Sequence, residues 1–387
     1  MHLATHSTLL YQSQFIPQRI YTMKKFLSLV LSAVVLVGGL SSCKKESPAA
    51  LTYGETVVTE AMYTYYVSTY KGRYIQTFSD ISDTEEFWTS DIGGKTGEEM
   101  IEELIYKNVI QNLVAAEEYR KAGLTLSKTE ESDIDTYIDS MIEELAGGSR
   151  QTLNGHLAEF GINLDILRES LRMERRAYLY REYLYGEGGP EAIDDDDRDE
   201  YFKESYVRFQ QIFINTVNVY ETDKDGYYVQ DENGSFKIRD LTEEEKAAAN
   251  KKIDDVHRGL EAGEDFEKLQ EKYSDSKEYK TGYYFSPATS TSYLTTVVSA
   301  AFDLEEGKWT YVDATGTTGA FFIKRLPLED KAYKDEKLSD FFSTFDEDLM
   351  TELYGTKLEE LSSGIVKNDE FLDSVSVKDA PINYYYY

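Results

Sequence analysis

From Thr96 onward the apolar residues recur every three or four positions. Ile101, Leu104, Ile105, Val109, Leu113 and Val114 fall on one stripe, which predicts a long amphipathic helix. Gly123 stands where a left-handed residue closes such a helix. Ser127 with Glu130 has the spacing of a capping box and opens the next helix, whose apolar face holds Ile134, Tyr137, Ile138, Met141 and Leu145. Gly147-Gly148 ends it, and residues 153–160 and 164–184 continue the helical period around Gly161. Upstream, Thr56-Val57-Val58 is strand-like, and helical periodicity takes over beyond Thr59-Glu60. Residues 52–186 therefore read as a helical unit.

Gly186-Glu187-Gly188-Gly189-Pro190 has the composition of a linker, and 187–206 reads as linker plus short helix. Asp194 to Asp197 lack the oxygen-ligand spacing of a calcium loop and suit a helix N-terminus, where the dipole favours negative charge. Beyond them the period changes. Residues 207–219 are β-branched and aromatic, and Asn233-Gly234 between Tyr227-Tyr228-Val229 and Phe236-Lys237-Ile238 signals a hairpin. Thr242 with Glu245 caps a helix that Gly263 stops, and a second helix covers 266–273. Strands near 283–285 and 319–326 flank a helical turn at 297–302. This order predicts an α+β domain over 207–328. Leu338, Phe341, Phe342, Phe345, Leu349 and Leu353 then predict one helix across 335–361, within a C-terminal segment 329–387 that packs on the helical unit. The fold class is α+β, with the mixed domain inserted into a helical unit completed by a C-terminal helix.

The N-terminal region follows a different logic. Met23-Lys24-Lys25 is a positive start, and the apolar run that follows, about fifteen residues, has the length of a secretory signal and not of a membrane span. Residues 23–42 read as that signal, 1–22 as the product of an upstream mis-start, and 43–51 as a polar tether. Leu40-Ser41-Ser42-Cys43 resembles the lipobox of bacterial lipoproteins. The resemblance implies acylation of Cys43, the only cysteine, and a chain anchored in the cell envelope by lipid. Lys44 in place of an aspartate then points to the outer membrane, with the chain facing the periplasm or, alternatively, exposed at the surface. With its single cysteine acylated, the chain forms no internal disulfide and depends on packing.

The formal charge is −31, and residues 1–42 carry Arg19, Lys24 and Lys25 and no acid, so the remainder is more acidic still. Such a surface argues against nucleic acid, whose phosphates demand Lys and Arg, and against docking on anionic lipid. With 41% hydrophobic and 13% aromatic residues the chain still supplies packed cores. Tyr63, Tyr65, Tyr66 and Tyr70 fit either a groove for extended peptides or plain core. Tyr384–Tyr387 fits either a strand beside Thr56–Val58 or a loose tail.

Val207-Arg208-Phe209-Gln210-Gln211-Ile212-Phe213-Ile214 resembles the first strand of parvulin-type peptidyl-prolyl isomerases. Four stretches follow in the family's order: 260–266 at a helix end and turn, Tyr273-Ser274-Asp275, 301–307, and the closing strand Gly319-Ala320-Phe321-Phe322-Ile323-Lys324. The helical regions are similar to the chaperone portion of the SurA/PrsA family, notably 119–127 and 157–171. The resemblance implies an envelope chaperone whose partners are unfolded or nascent exported polypeptides, without cofactor or metal.

Active parvulins set two facing histidines and a Cys or Asp around an apolar proline pocket. Carried over residue by residue, the histidine positions fall on Gln211 and Phe321, and the Cys/Asp position on Ser276. The pocket positions fall on Tyr293, Val297 and Phe302. The four histidines of the chain, His2, His6, His156 and His257, lie elsewhere in the sequence and cannot stand in. Zinc chemistry and Ser–His–Asp catalysis lack ligands and base for the same reason. The resemblance thus implies a foldase or holdase with weak or lost isomerase activity. The alternatives are an active isomerase with altered pocket chemistry and an assembly factor for one partner.

Overall fold

The computed structural model describes residues 47–78, 80–276, 281–289 and 295–384. Among them, 194–349 form one compact unit and 47–193 with 350–384 form another. The expected C-terminal segment 329–387 is therefore divided, and the boundary falls between Leu349 and Met350.

The helical unit begins with a hairpin of β1 (Ala49–Tyr53) and β2 (Thr56–Thr59), joined through Gly54-Glu55. Part of the expected tether is thus a strand, because Ala50 and Leu51 are fully buried. Gly54 is left-handed at φ +60, and a Cβ there would collide with the Glu117 carboxylate. That carboxylate is buried, accepting from Thr56 Oγ1 at 2.8 Å, Glu55 N at 3.2 Å and the Arg120 guanidinium at 2.8 and 2.9 Å.

Helix α1 (Glu60–Thr77) starts where Thr59 accepts from Met62 N. Tyr66, Tyr70 and Tyr74 follow at i, i+4 spacing, their ring centroids 6.1 and 6.2 Å apart. Together with Tyr63 and Tyr65 they are buried, which decides for core over an open groove. Their hydroxyls meet Ser170 O, Asn112 Nδ2 and Asn108 Nδ2. After the short α2 (Glu85–Thr89), which buries Trp88, come α3 (Gly97–Lys121) and α4 (Lys128–Ala146). Both begin in capping boxes, Thr96 with Glu99 and Ser127 with Glu130. Helices α5 (Arg150–Ala158) and α6 (Leu164–Tyr185) enclose Ile138, Leu153, Leu157 and Leu167 with α4.

The second unit opens with α7 (Asp195–Ser205), where Asp194 accepts from the amides of Asp196 and Asp197. The aspartate run is a helix cap. Its sheet has the order β6 (Tyr283–Phe285), β3 (Val207–Asn215), β8 (Gly319–Leu326), β7 (Trp309–Ala314), antiparallel throughout. Strand β7 went unread in the sequence. One face carries Ile212, Ile214, Ala320 and Phe322 against α8 (Glu243–Glu261) and α9 (Phe266–Tyr273), with Trp309 packed at its margin. The opposite face meets α10 (Thr295–Asp303).

Between β3 and α8 lies a small meander, β4 (Asn218–Tyr220) paired with β5 (Ile238–Asp240). The expected hairpin strands are reduced to single bridges, Thr222–Tyr228 and Gln230–Phe236. Asp223 and Asp231 each accept two following amides and form the turns, and Tyr220, Tyr228 and Phe236 cluster on the exposed side.

The helix expected across 335–361 is also interrupted. Residues 332–334 and 336–341 are 3-10 turns, and α11 (Phe345–Leu361) follows. Phe341 turns toward Tyr283 and Phe285, whereas Phe342 and Phe345 join Phe202 and Tyr206, and a straight helix cannot serve both directions. The residues of α11 beyond the boundary belong to the helical unit, where Tyr354 donates to Ala177 O at 2.7 Å. There β9 (Val366–Lys367) pairs with the free edge of β1, and α12 (Asp369–Leu372) follows. β2 pairs with β1; of the Tyr-rich segment, 385–387 lie outside the described residues.

Candidate functional site

Alternation along β3 places Phe209, Gln211 and Phe213 on one face of the sheet. In register with them on β8 stand Arg325, Ile323 and Phe321. The two positions matched to the family's histidines therefore share this face. Gln211 and Phe321 are each 4% exposed. Val207, Phe209, Tyr283, Val297, Ala301 and Ile323 form one apolar cluster with Phe321, and Phe213 and Phe302 pack against it.

A buried amide among these groups requires a partner. Gln211 Nε2 donates to the Tyr283 hydroxyl at 3.0 Å, while the main-chain carbonyl of Gln211 accepts from Gln270 Nε2 at 2.7 Å. Phe321 offers no polar atom, and its ring lies 4.8 Å from that of Phe213. Of the two expected imidazoles, this buried face carries one amide and one phenyl ring.

The end of β3 is pinned by the loop after α9. Phe213 N donates to Ser274 Oγ at 3.0 Å, Asp275 N donates to Phe213 O at 2.7 Å, and Asn215 N donates to Asp275 Oδ2 at 3.0 Å. Lys252 Nζ meets the other Asp275 oxygen at 2.5 Å. Ser276 follows in this loop, its carbonyl accepting from Ser274 Oγ at 2.6 Å. Among the matched pocket residues, Val297 is fully buried and Phe302 half-buried on α10, while Tyr293 lies outside the described residues. Sequence reasoning missed Tyr283 and Gln270. The adjacent glutamines Gln210-Gln211 in a strand with apolar flanks were the available signal that polar partners must be near.

Residues 235–317 match the family model of the rotamases, the PPIC-type PPIASE domain. The chain carries a PPIC-type domain. The match spans α8, α9, β6, α10 and β7, with Ser276, Val297 and Phe302 inside it. Strands β3 and β8, which hold Gln211 and Phe321, fall outside it. No curated protein sequence matches the chain. Among solved structures, the chain is similar to PrsA from Bacillus subtilis at 18% identity, over 72% of this chain and 93% of that one, with a TM-score of 0.22. For the foldase protein PrsA of Streptococcus pneumoniae str. Canada MDR_19A the values are 15%, 86%, 97% and 0.23. For the peptidylprolyl isomerase PrsA of Bacillus cereus they are 16%, 75%, 96% and 0.29.

Proposed function

We propose that this chain is a lipid-anchored envelope foldase or holdase that binds unfolded exported polypeptides. Its PPIC-type domain serves as a binding surface with weak or lost isomerase activity. The observation that carries this reading is the replacement of both imidazoles by Gln211 and Phe321, packed into one apolar face. Rotating an X–Pro bond needs its carbonyl polarised or its amide desolvated, and here only desolvation is supplied.

The experiment measures isomerisation of a proline peptide and aggregation of a chemically unfolded client with one preparation. Isomerisation should stay within about tenfold of the uncatalysed exchange, which takes tens to hundreds of seconds. Aggregation should slow in proportion to added chain. Fast turnover would overturn the claim of weak activity, and undiminished aggregation would remove the holdase.

One observation favours an active isomerase instead. Gln211 keeps a polar atom in the pocket and shares a hydrogen bond with Tyr283. On that reading Gln211→Ala abolishes turnover in a protein that still folds.

Anchoring has its own test. Cys43→Ala should move the protein from the membrane fraction to the soluble fraction, and retention in the membrane would reject acylation as the anchor. No helix among the described residues is long and apolar enough to cross a membrane. We place the anchored chain at the outer membrane, facing the periplasm.

A further inference from the structure

Within the helical unit, residues 376–383 run from α2 and the start of α3 along α1, held mostly by main-chain groups. Lys378 N donates to Glu98 Oε1 at 3.1 Å. Lys71, itself 1% exposed, donates from Nζ to Lys378 O at 2.7 Å and to Ala380 O at 3.0 Å. Asn383 N donates to Ser68 O at 3.1 Å. Any residue supplies those groups, and recognition through them gives affinity without demanding a sequence.

The walls are shaped for such a strand. Gly72 lies mid-helix, where glycine costs about 1 kcal/mol relative to alanine. A Cβ there would collide with the Asn383 carbonyl. Lys71 is steadied by Asp83 at 3.0 Å and lies 5.1 Å from the centre of the Trp88 ring. Side chains add selectivity: Val377 is buried, Asn383 Nδ2 donates to Thr69 Oγ1 at 2.9 Å, Ser376 Oγ donates to Glu98 at 2.8 Å, and the Lys378 ammonium pairs with Glu85 at 2.6 Å.

We propose that this track is the helical unit's binding site for extended client polypeptide, and that residues 376–383 occupy it in cis. The preferred occupant is an unfolded segment with a cation facing Glu85 and small or apolar neighbours. The acid pair Glu85 and Glu98 and the chain's formal charge of −31 favour that charge. A client must displace the tail, so apparent affinity falls to the intrinsic value multiplied by the fraction of time the tail is unseated. This rests on the holdase reading, but it fails separately.

The test uses the full chain carrying Val377→Asp and Asn383→Asp, which alters the tail and leaves every wall residue intact. A fluorescent peptide with the natural sequence of residues 374–384 is titrated by anisotropy. It should bind this variant at least about tenfold more tightly than the wild-type chain, and Lys71→Met added to the variant should abolish binding. Reduced, carboxamidomethylated ribonuclease A, an unfolded basic chain, should displace the peptide. If the double variant does not fold, Asn383→Ala alone should shift affinity in the same direction by less.

Equal or absent peptide binding by folded variants overturns the proposal. So does peptide binding that the unfolded competitor cannot displace, which makes the tail a structural staple. If the wild-type chain suppresses aggregation in either case, the holdase stands and only the site falls.

Discussion

Glu117→Ala is expected to destabilise the helical unit by about 3 kcal/mol, the lower end of the cost of breaking a buried ion pair, because Arg120 is half exposed. The substitution also leaves the Thr56 hydroxyl and Glu55 amide without their acceptor. The Arg120 guanidinium, helped by those two donors, holds the carboxyl down at about 2. A folded-state value below the unfolded one means that the stabilisation is complete above the ordinary carboxylate range. It is lost as pH falls from about 4.5 toward 2. Urea unfolding of wild type and variant at pH 7 and pH 3 checks both parts, since the gap should narrow at the lower pH. A gap below about 1 kcal/mol at pH 7 would show that Arg120 and the hairpin do not depend on this carboxylate.

The second large effect is expected at Phe202. Its ring lies 5.5 to 6.5 Å from those of Tyr206, Tyr284, Tyr333, Phe342 and Phe345, and its side chain is buried. Phe202→Ala should cost the unit of residues 194–349 about 4 kcal/mol, as removal of a buried phenylalanine combines lost transfer energy with a cavity. Phe202→Leu should recover more than half of it. The cluster also explains why α7 and residues 332–345 belong with the sheet. Tyr333 stacks on Phe345 at 4.7 Å and donates to Asp199 at 2.6 Å, and Lys334 reaches Asp195 at 2.8 Å. Differential unfolding by circular dichroism measures the loss, and a variant within about 1 kcal/mol of wild type would deny the cluster its role.

Helices with complete local signals were legible in advance. The Ser127–Glu130 and Thr242–Glu245 boxes both form, and each lies where the apolar period begins. What stayed hidden depends on distant partners. β1 looks like a tether until Val58 pairs with it across the Gly54-Glu55 turn and Val366 flanks it from a position remote in the chain. Trp309-Thr310-Tyr311-Val312 alternates as a strand should, yet reads as a loop until β8 pairs with it. The apparent stripe over 335–361 mixes aromatic residues bound for two different clusters, which periodicity alone cannot separate. At the site, the sequence located Gln211, Phe321 and Val297 on adjoining elements. Tyr283 as the partner of Gln211 follows only from the pairing of β3 with β6.

The chain has two tryptophans, and they fall in different units: Trp88 beside the Lys71 track, Trp309 on β7 at the margin of the sheet core. Each half of the molecule thus carries its own intrinsic fluorophore. Trp88→Phe and Trp309→Phe would yield a pair of optically separate reporters, so that melting of the rotamase-like half and of the helical half are recorded independently in the intact polypeptide.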